Sequence, residues 1–345
     1  LTSKSYSAII LYVGIDPTLR KFEIDKHREG KYPLRCLSFK GGYMSNKSQI
    51  INVKSNSDVS KMAKAMKGWN DTFYTDMPKG VFGSVAIIRC NGAVVNSNDL
   101  DLEFSVPFDD DMEANEAEIT IYNLSTTTIN RFKKNCSITI EAGFKGDTGV
   151  IFKGYVSKRK TAYEGADRKT TIKCLDRIKT KKLKEKTYKK GTKASKILKD
   201  LLKKTGTPIA VFKIKRDFTY KDEQKVDGDL YENIKTYADV CGISVYVNKG
   251  KIYARHLKVG DNLNFTVEES TGMINTPTEY EEEITAEKYK ETIKGYEIEM
   301  LLQHRMTTGG IIKLKSINAK DGKYRIRSGE HTFNEGEATT KIKVF

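Results

Sequence analysis

Between residues 99 and 108 every second position is apolar, at Leu100, Leu102, Phe104, Val106 and Phe108, and the positions between are acidic or polar. Successive side chains of a strand point to opposite faces, so this period of two predicts a strand with one apolar face. Burying five side chains does not offset the entropy of ordering ten residues, so the strand must close a barrel or pack on a sheet. Pro107 near its end predicts an edge or a bulge there. The same alternation continues on both sides. Residues 85–90 meet 93–95 across Asn91-Gly92, a strong hairpin signal. Further strands are predicted over 116–123, with Ala117, Ile119 and Ile121, and over 137–142, with Ile138 and Ile140. Two more fall at 150–158 and at 168–175, with Thr170, Ile172 and Cys174. Short strands separated by polar turns describe a barrel or sandwich.

The period then changes. Ala194, Ile197, Leu198, Leu201 and Leu202 follow helical spacing, with Thr192 as N-cap and the Gly206-Thr-Pro208 string as the stop. Leu230, Ile234, Tyr237, Ala238 and Cys241 predict a second helix ending at Gly242, and residues 243–247 and 251–255 a hairpin across 248–250. Alternation returns at 263–267, 295–302, 310–316, 322–327 and 338–344. The order is therefore β-rich, then α+β over 190–257, then β-rich again. Residues 1–83 carry the weakest pattern, with a short helix predicted over 59–69. The first methionine is Met44, so the stretch before it reads as a processed start or an extension.

Composition narrows the class. With 345 residues, 38% hydrophobic and 31% charged, the chain has room for two or three cores and lies outside the disordered class. No apolar run is long enough to span a bilayer, and residues 7–13 lack the flanks of a signal peptide, so assembly in the cytosol without membrane insertion is expected. The five cysteines are odd in number, with no CxxC pair, which argues against a disulfide scaffold or a zinc site. Cys174 and Cys241 read as core thiols. Net charge is +16, and much of the excess lies in residues 177–193, where nine Lys and Arg oppose Glu185 alone. This run reads as a solvated linker or helix face, since Tyr188 is its only aromatic and a nucleic-acid platform needs interleaved aromatics.

Catalytic and metal signatures are missing from the sequence. His27, His256, His304 and His331 are scattered and read as surface or turn residues. The glycines at 143, 146 and 149 lack the order of a phosphate loop and read as a hairpin turn, and residues 96–101 lack the glycine and closing glutamate of a calcium loop. Asp109, Asp110, Asp111, Glu113, Glu116 and Glu118 could be argued as glycosidase carboxylates, but a consecutive Asp triplet reads as a solvated loop, and the Glu triplet at 281–283 makes no better case for that chemistry. A cell-wall hydrolase and a basic nucleic-acid binder are the alternatives these features leave open.

Several strings together resemble one family. They are the alternating strand 99–108, the segment 116–125 ending in Tyr-Asn-Leu-Ser, the Ile-Glu-Ala-Gly-Phe string at 140–144 and the Phe-Lys-Gly string at 152–154. They look like the first barrel of the baseplate hub proteins of contractile phage tails and phage-tail-like bacteriocins, the late control protein D group. Residues 302–316, 322–327 and His331 are similar to the second barrel of that family. The resemblance covers 84–345, and residues 1–83 have no counterpart in it. It implies a mainly β fold in which two tube-like β-barrels, 84–189 and 258–345, flank an α+β domain at 190–257. Leu100, Leu102, Phe104, Val106, Ile119, Ile121, Ile138 and Ile140 would form the core of the first barrel. It further implies a non-enzymatic homotrimer whose six barrels make a pseudo-sixfold ring between a hexameric tail tube and a trimeric spike. Its partners would be the tube, spike and other baseplate proteins, with no cofactor, no small-molecule substrate and no nucleic acid. The protein would end as part of the released particle.

Overall fold

The computed structural model describes residues 83–345 except 178–180, 287–288 and 335–336, together with four strands nearer the N-terminus. The chain divides into two units, Leu1–Met77 and Pro78–Phe345. In the first, β1 (Ile9–Val13), β2 (Arg20–Ile24), β3 (Leu34–Lys40) and β4 (Tyr43–Gln49) form an antiparallel meander. Met44 pairs with Phe39 inside it. The helix expected over 59–69 lies outside the described residues.

The second unit is mainly β and is built on one sheet of 13 strands. Its first half contains β5 (Ser84–Cys90), β6 (Ala93–Asn96), β7 (Leu102–Phe108) and β8 (Glu116–Tyr122). With them run β9 (Ser137–Phe144), β10 (Asp147–Glu164) and β11 (Asp167–Leu175). Asn91 and Gly92, both at positive φ, make the tight turn between β5 and β6 that only such residues accept without strain. The sheet order β7-β8-β11-β10-β9-β5-β6 wraps one apolar cluster. Leu102, Phe104, Val106, Ile119, Ile121, Ile138 and Ile140 are buried in it, and Leu100 packs against it half-buried. A short helix, α1 (Thr126–Ile129), delivers Ile129 and Phe132 to the same core and is capped by Ser125.

The middle of the unit holds α2 (Ala194–Lys204) and α3 (Leu230–Cys241), packed together. Beside them lie β13 (Ile209–Phe212), β15 (Ser244–Asn248) and β16 (Lys251–Arg255) in one sheet and β12 (Lys182–Tyr188) and β14 (Gln224–Asp229) in another. Asp229 caps α3 by accepting from the Tyr231 and Glu232 amides, and Gly242 ends the helix in the left-handed region. The cap of α2 differs from expectation. Thr192 turns back to the Lys189 carbonyl, and Asp217, from a distant loop, accepts from the Ser195 amide and hydroxyl instead. The basic run is likewise neither a linker nor a helix face. Its centre is strand β12, with Lys186 on Asp200 and Tyr188 buried among α2 and α3 side chains.

The last part contains β17 (Asp261–Val267), β18 (Thr278–Ala286), β19 (Tyr289–Leu301), β20 (Gly310–Ser316), β21 (Ala319–Phe333) and β22 (Ala338–Val344). These strands surround a third cluster that includes Val267, Met300, Met306, Ile326 and Val344. Strand β21 serves two neighbours on one edge. Its first half pairs with β20, and its last residues pair with β7, from Gly329 opposite Phe108 to Phe333 opposite Phe104. Pro107 therefore sits beyond Ser105, the last β7 residue paired with β8, where a missing amide costs no bond to that strand.

Two features depart from the expected architecture. No ladder joins β6 to β7, or β17 to β18, among the described residues, so neither half closes into a barrel. The cores also exchange residues. Leu302 and Phe333 enter the first cluster, Met112 and Tyr188 the second, and Phe108 packs on the third. Alternation along one strand reports its own two faces and is silent about which neighbour each end will meet.

Candidate functional site

Three sets of polar groups in the second unit tie together elements that serve different clusters, and they act as latches. The first latch follows β7. Asp110 is buried and accepts a hydrogen bond from Arg325 Nη1 at 2.8 Å, with Arg327 Nε at 3.5 Å from its other oxygen. Arg327 also pairs with Glu282 of β18. The expectation of a solvated Asp triplet holds at Asp111, which is exposed, and fails at Asp110, because tertiary folding brings β21 over the turn and a buried carboxylate requires a cation beside it.

Asp109 and Asp176 form the second latch. Asn115 bridges them, its Nδ2 donating to Asp176 Oδ2 at 3.1 Å and to Asp109 Oδ1 at 3.4 Å, and its amide donates to Asp176 Oδ1. Burial, then the neighbouring Asp111 charge, pushes Asp109 up to about 6. Burial also carries Asp176 up to about 7, against the Asn115 hydrogen bonds and the Arg177 charge. The Arg177 guanidinium lies 3.9 Å from the centre of the Tyr231 ring on α3, tying the first core to the middle one.

The third latch holds residues 302–310. Asp147, at the start of β10, takes His304 Nε2 at 3.0 Å and pairs with Arg305 at 2.6 Å. The Arg305 hydrogen bond leads in lowering Asp147 to about 2. Lys249, in the tight turn between β15 and β16, donates to the His304 carbonyl at 2.9 Å, and burial lowers its ammonium to about 8. Thr307 donates to Asn248 Oδ1 at 2.7 Å. His331 is buried beneath the loop, with its ring nitrogens on Thr340 Oγ1 and the Met306 carbonyl, and burial drives it down to about 3. The expectation of four surface or turn histidines thus fails at His331. Its side chain lies on the inner face of β21, a position visible only once that strand has a partner sheet. His256 contacts Lys215 at 3.0 Å, and His27 lies outside the described residues.

These groups pair with one another instead of lining a cleft. Among the described residues no group of three or more His, Cys, Asp or Glu side chains could hold a metal ion. A cavity of about 360 Å³ is lined by Phe212, Arg255 and Asp261, and Arg255 is already engaged by Tyr246 and Asp261 within hydrogen-bond distance. Glycines 143 and 146 sit in the β9–β10 hairpin as expected, and residues 96–101 form a turn. Burial raises the Cys90, Cys174 and Cys241 thiols, which suits core packing. No described helix is long and apolar enough to cross a membrane.

Two β-rich cores share one sheet, an α+β insertion lies between them, and the polar residues are spent on latches. Known proteins share this architecture. The crystal structure of the prophage MuSo2 43 kDa tail protein from Shewanella oneidensis superposes with a TM-score of 0.54 at 8% identity, covering 75% of this chain and 97% of that one. The tail protein from Neisseria meningitidis MC58 gives 0.53 at 8% identity, covering 76% and 96%. The E. coli c3393 protein gives 0.53 at 9% identity over 75% and 76%; it is described as a type VI secretion component similar to T4 tail proteins gp27 and gp5. At such identities the likeness is one of fold. No curated protein matches the sequence. The family model described as baseplate hub gp41 matches residues 84–333, and the chain belongs to that family. Its role is that of a structural baseplate component among other tail proteins.

Proposed function

We propose that the chain is a trimeric hub whose β-rich halves form a pseudo-sixfold ring between a hexameric tail tube and a trimeric spike, and that it catalyses no reaction. The observation that carries this reading is the family match laid over two β-rich cores of one sheet, both ending, among the described residues, in strands with one unpaired edge. Open sheet edges are hazards unless a neighbour covers them, and a closed ring of identical subunits covers every one of them alike. In this reading residues 84–189 and 258–345 are the two tube-like modules, 190–257 is the spacer between them, and 1–83 is an added extension. The described core of the first module, from Leu102 to Ile140, is architectural. Assembly takes place in the bacterial cytoplasm, and the protein leaves as part of the particle.

Light scattering on the purified chain, alone and with its spike partner, tests the proposal. Trimers that bind the spike are expected, and a monomer that ignores it would overturn the reading. Peptidoglycan should release no soluble fragments when incubated with the protein. Release that disappears when Asp109, Asp110 and Asp111 are changed to Asn would establish the hydrolase in its place.

A further inference from the structure

We propose that neighbouring copies of the chain join head to tail, the outer edge of β18 in one copy pairing with the distal edge of β10 in the next. The proposal rests on the ring reading above and names the contact that would close the ring.

Among the described residues, strand β18 ends the long sheet and pairs with β19 alone. Its sequence places Glu279, Glu281 and Glu283 on one face, all exposed, while Glu282 turns to the other face and meets Arg327. Lys294 on β19 neutralises only Glu281. The β10 edge is the counterpart. Pairing of β10 with β9 stops at Tyr155 opposite Ser137, yet β10 continues to Glu164 with β11 on one side only. Residues 158–164 are thus an exposed strand whose second edge is unpaired among the described residues, and Lys158 and Lys160 lie on one of its faces. Two lysines and three glutamates, both sets spaced by two residues, stand at different edges of one sheet. Their ladder groups are available to each other in trans, and their charges match at that spacing. Because the two edges are different surfaces, the contact is heterologous and generates a ring where the rotation closes. Charged edge strands also occur simply to keep sheets apart, and the test separates the two cases.

Sedimentation velocity over a concentration series, at low and at high salt, should be run on the full chain and on five variants. Two carry K158E with K160E and E279K with E281K and E283K. The third combines all five changes, and the fourth, K189E with K190E, alters the same charge in a turn outside both edges. Far-UV circular dichroism reports the fold of each, and K158Q with K160Q serves as a milder version of the first. Each single-edge reversal should weaken self-association by about 30-fold at low salt, from two cross-strand pairs turned from attraction to repulsion. The combined variant should regain it, and the turn control should match the wild type. Trimers unaffected by either reversal, or a folded combined variant that fails to recover, would overturn this contact and leave the hub reading standing. A wild-type chain that stays monomeric even with the spike would overturn both.

Discussion

Replacing Asp110 with Asn tests whether the latch between β7 and β21 is an energetic link between the two β-rich cores. Asp110 and Arg325 are 8% and 4% exposed and 2.8 Å apart. The remaining side-chain ties of Arg325 are its Nε bond to the Val259 carbonyl and a Phe345 ring at 5.6 Å, and its Nη2 has no hydrogen-bond partner among the described residues. Asparagine keeps the shape and one acceptor oxygen but removes the countercharge. A hydrogen bond to a charged group contributes about 1.5–3 kcal/mol, and uncovering a buried charge altogether costs about 3–5. D110N should therefore lose about 2–3 kcal/mol, because an acceptor remains and Arg327 has Glu282 as a second partner. R325M should lose a similar amount by isolating Asp110. The double variant D110N/R325M should lose about 2 kcal/mol less than the sum of the singles, since each substitution removes the charge that the other strands. Urea unfolding followed by far-UV circular dichroism measures all three. A D110N loss under about 0.5 kcal/mol, or strictly additive losses, would refute the view that this pair couples the cores.

Phe104 is buried and stacks on Phe333 with ring centroids 5.3 Å apart, so F104A should cost about 3–5 kcal/mol in the same unfolding assay, and F104D should leave no folded material to assemble. Asp109 and Asp176 have folded-state pKa values of about 6 and 7, above those of unfolded carboxyls. Their stabilising contribution is complete below about pH 4 and is lost as pH rises through 6 and 7. D176N should flatten that slope and raise stability at pH 7 by about 1–2 kcal/mol, as read from unfolding midpoints across the pH series. Asp147 runs the other way: its value of about 2 means that its contribution is present above about pH 4 and disappears as pH falls toward 2, a dependence that D147N should abolish. A Cβ on Gly149 would lie 2.2 Å from His304 Nδ1, so G149A should displace the 302–310 loop and speed amide hydrogen exchange there, with an unchanged exchange pattern as the contrary result.

Local periodicity determined much of this protein. The period of two specified a strand and its inward face over Leu102–Phe108, with Leu100 left in the turn before it, the spacing from Ala194 to Leu202 specified a helix, and Asn91-Gly92 specified a tight hairpin. These are properties of residues a few positions apart, and side-chain geometry reads them directly. Tertiary structure decided everything that depends on residues far apart in the chain. Only the pairing of β21 with β7 carried Phe333 into the first core and Phe108 to the third. Only the approach of Arg325 and Asp217 turned a loop carboxylate into a buried ion pair and a missing Thr192 cap into one supplied from elsewhere. A histidine on an apolar strand face looks alike in sequence whether that face meets water or another sheet, and His331 was buried by the loop and strand packed over it. The open edges of β10 and β18 are of the same kind, since whether a strand is paired is a property of its neighbours and not of its own residues.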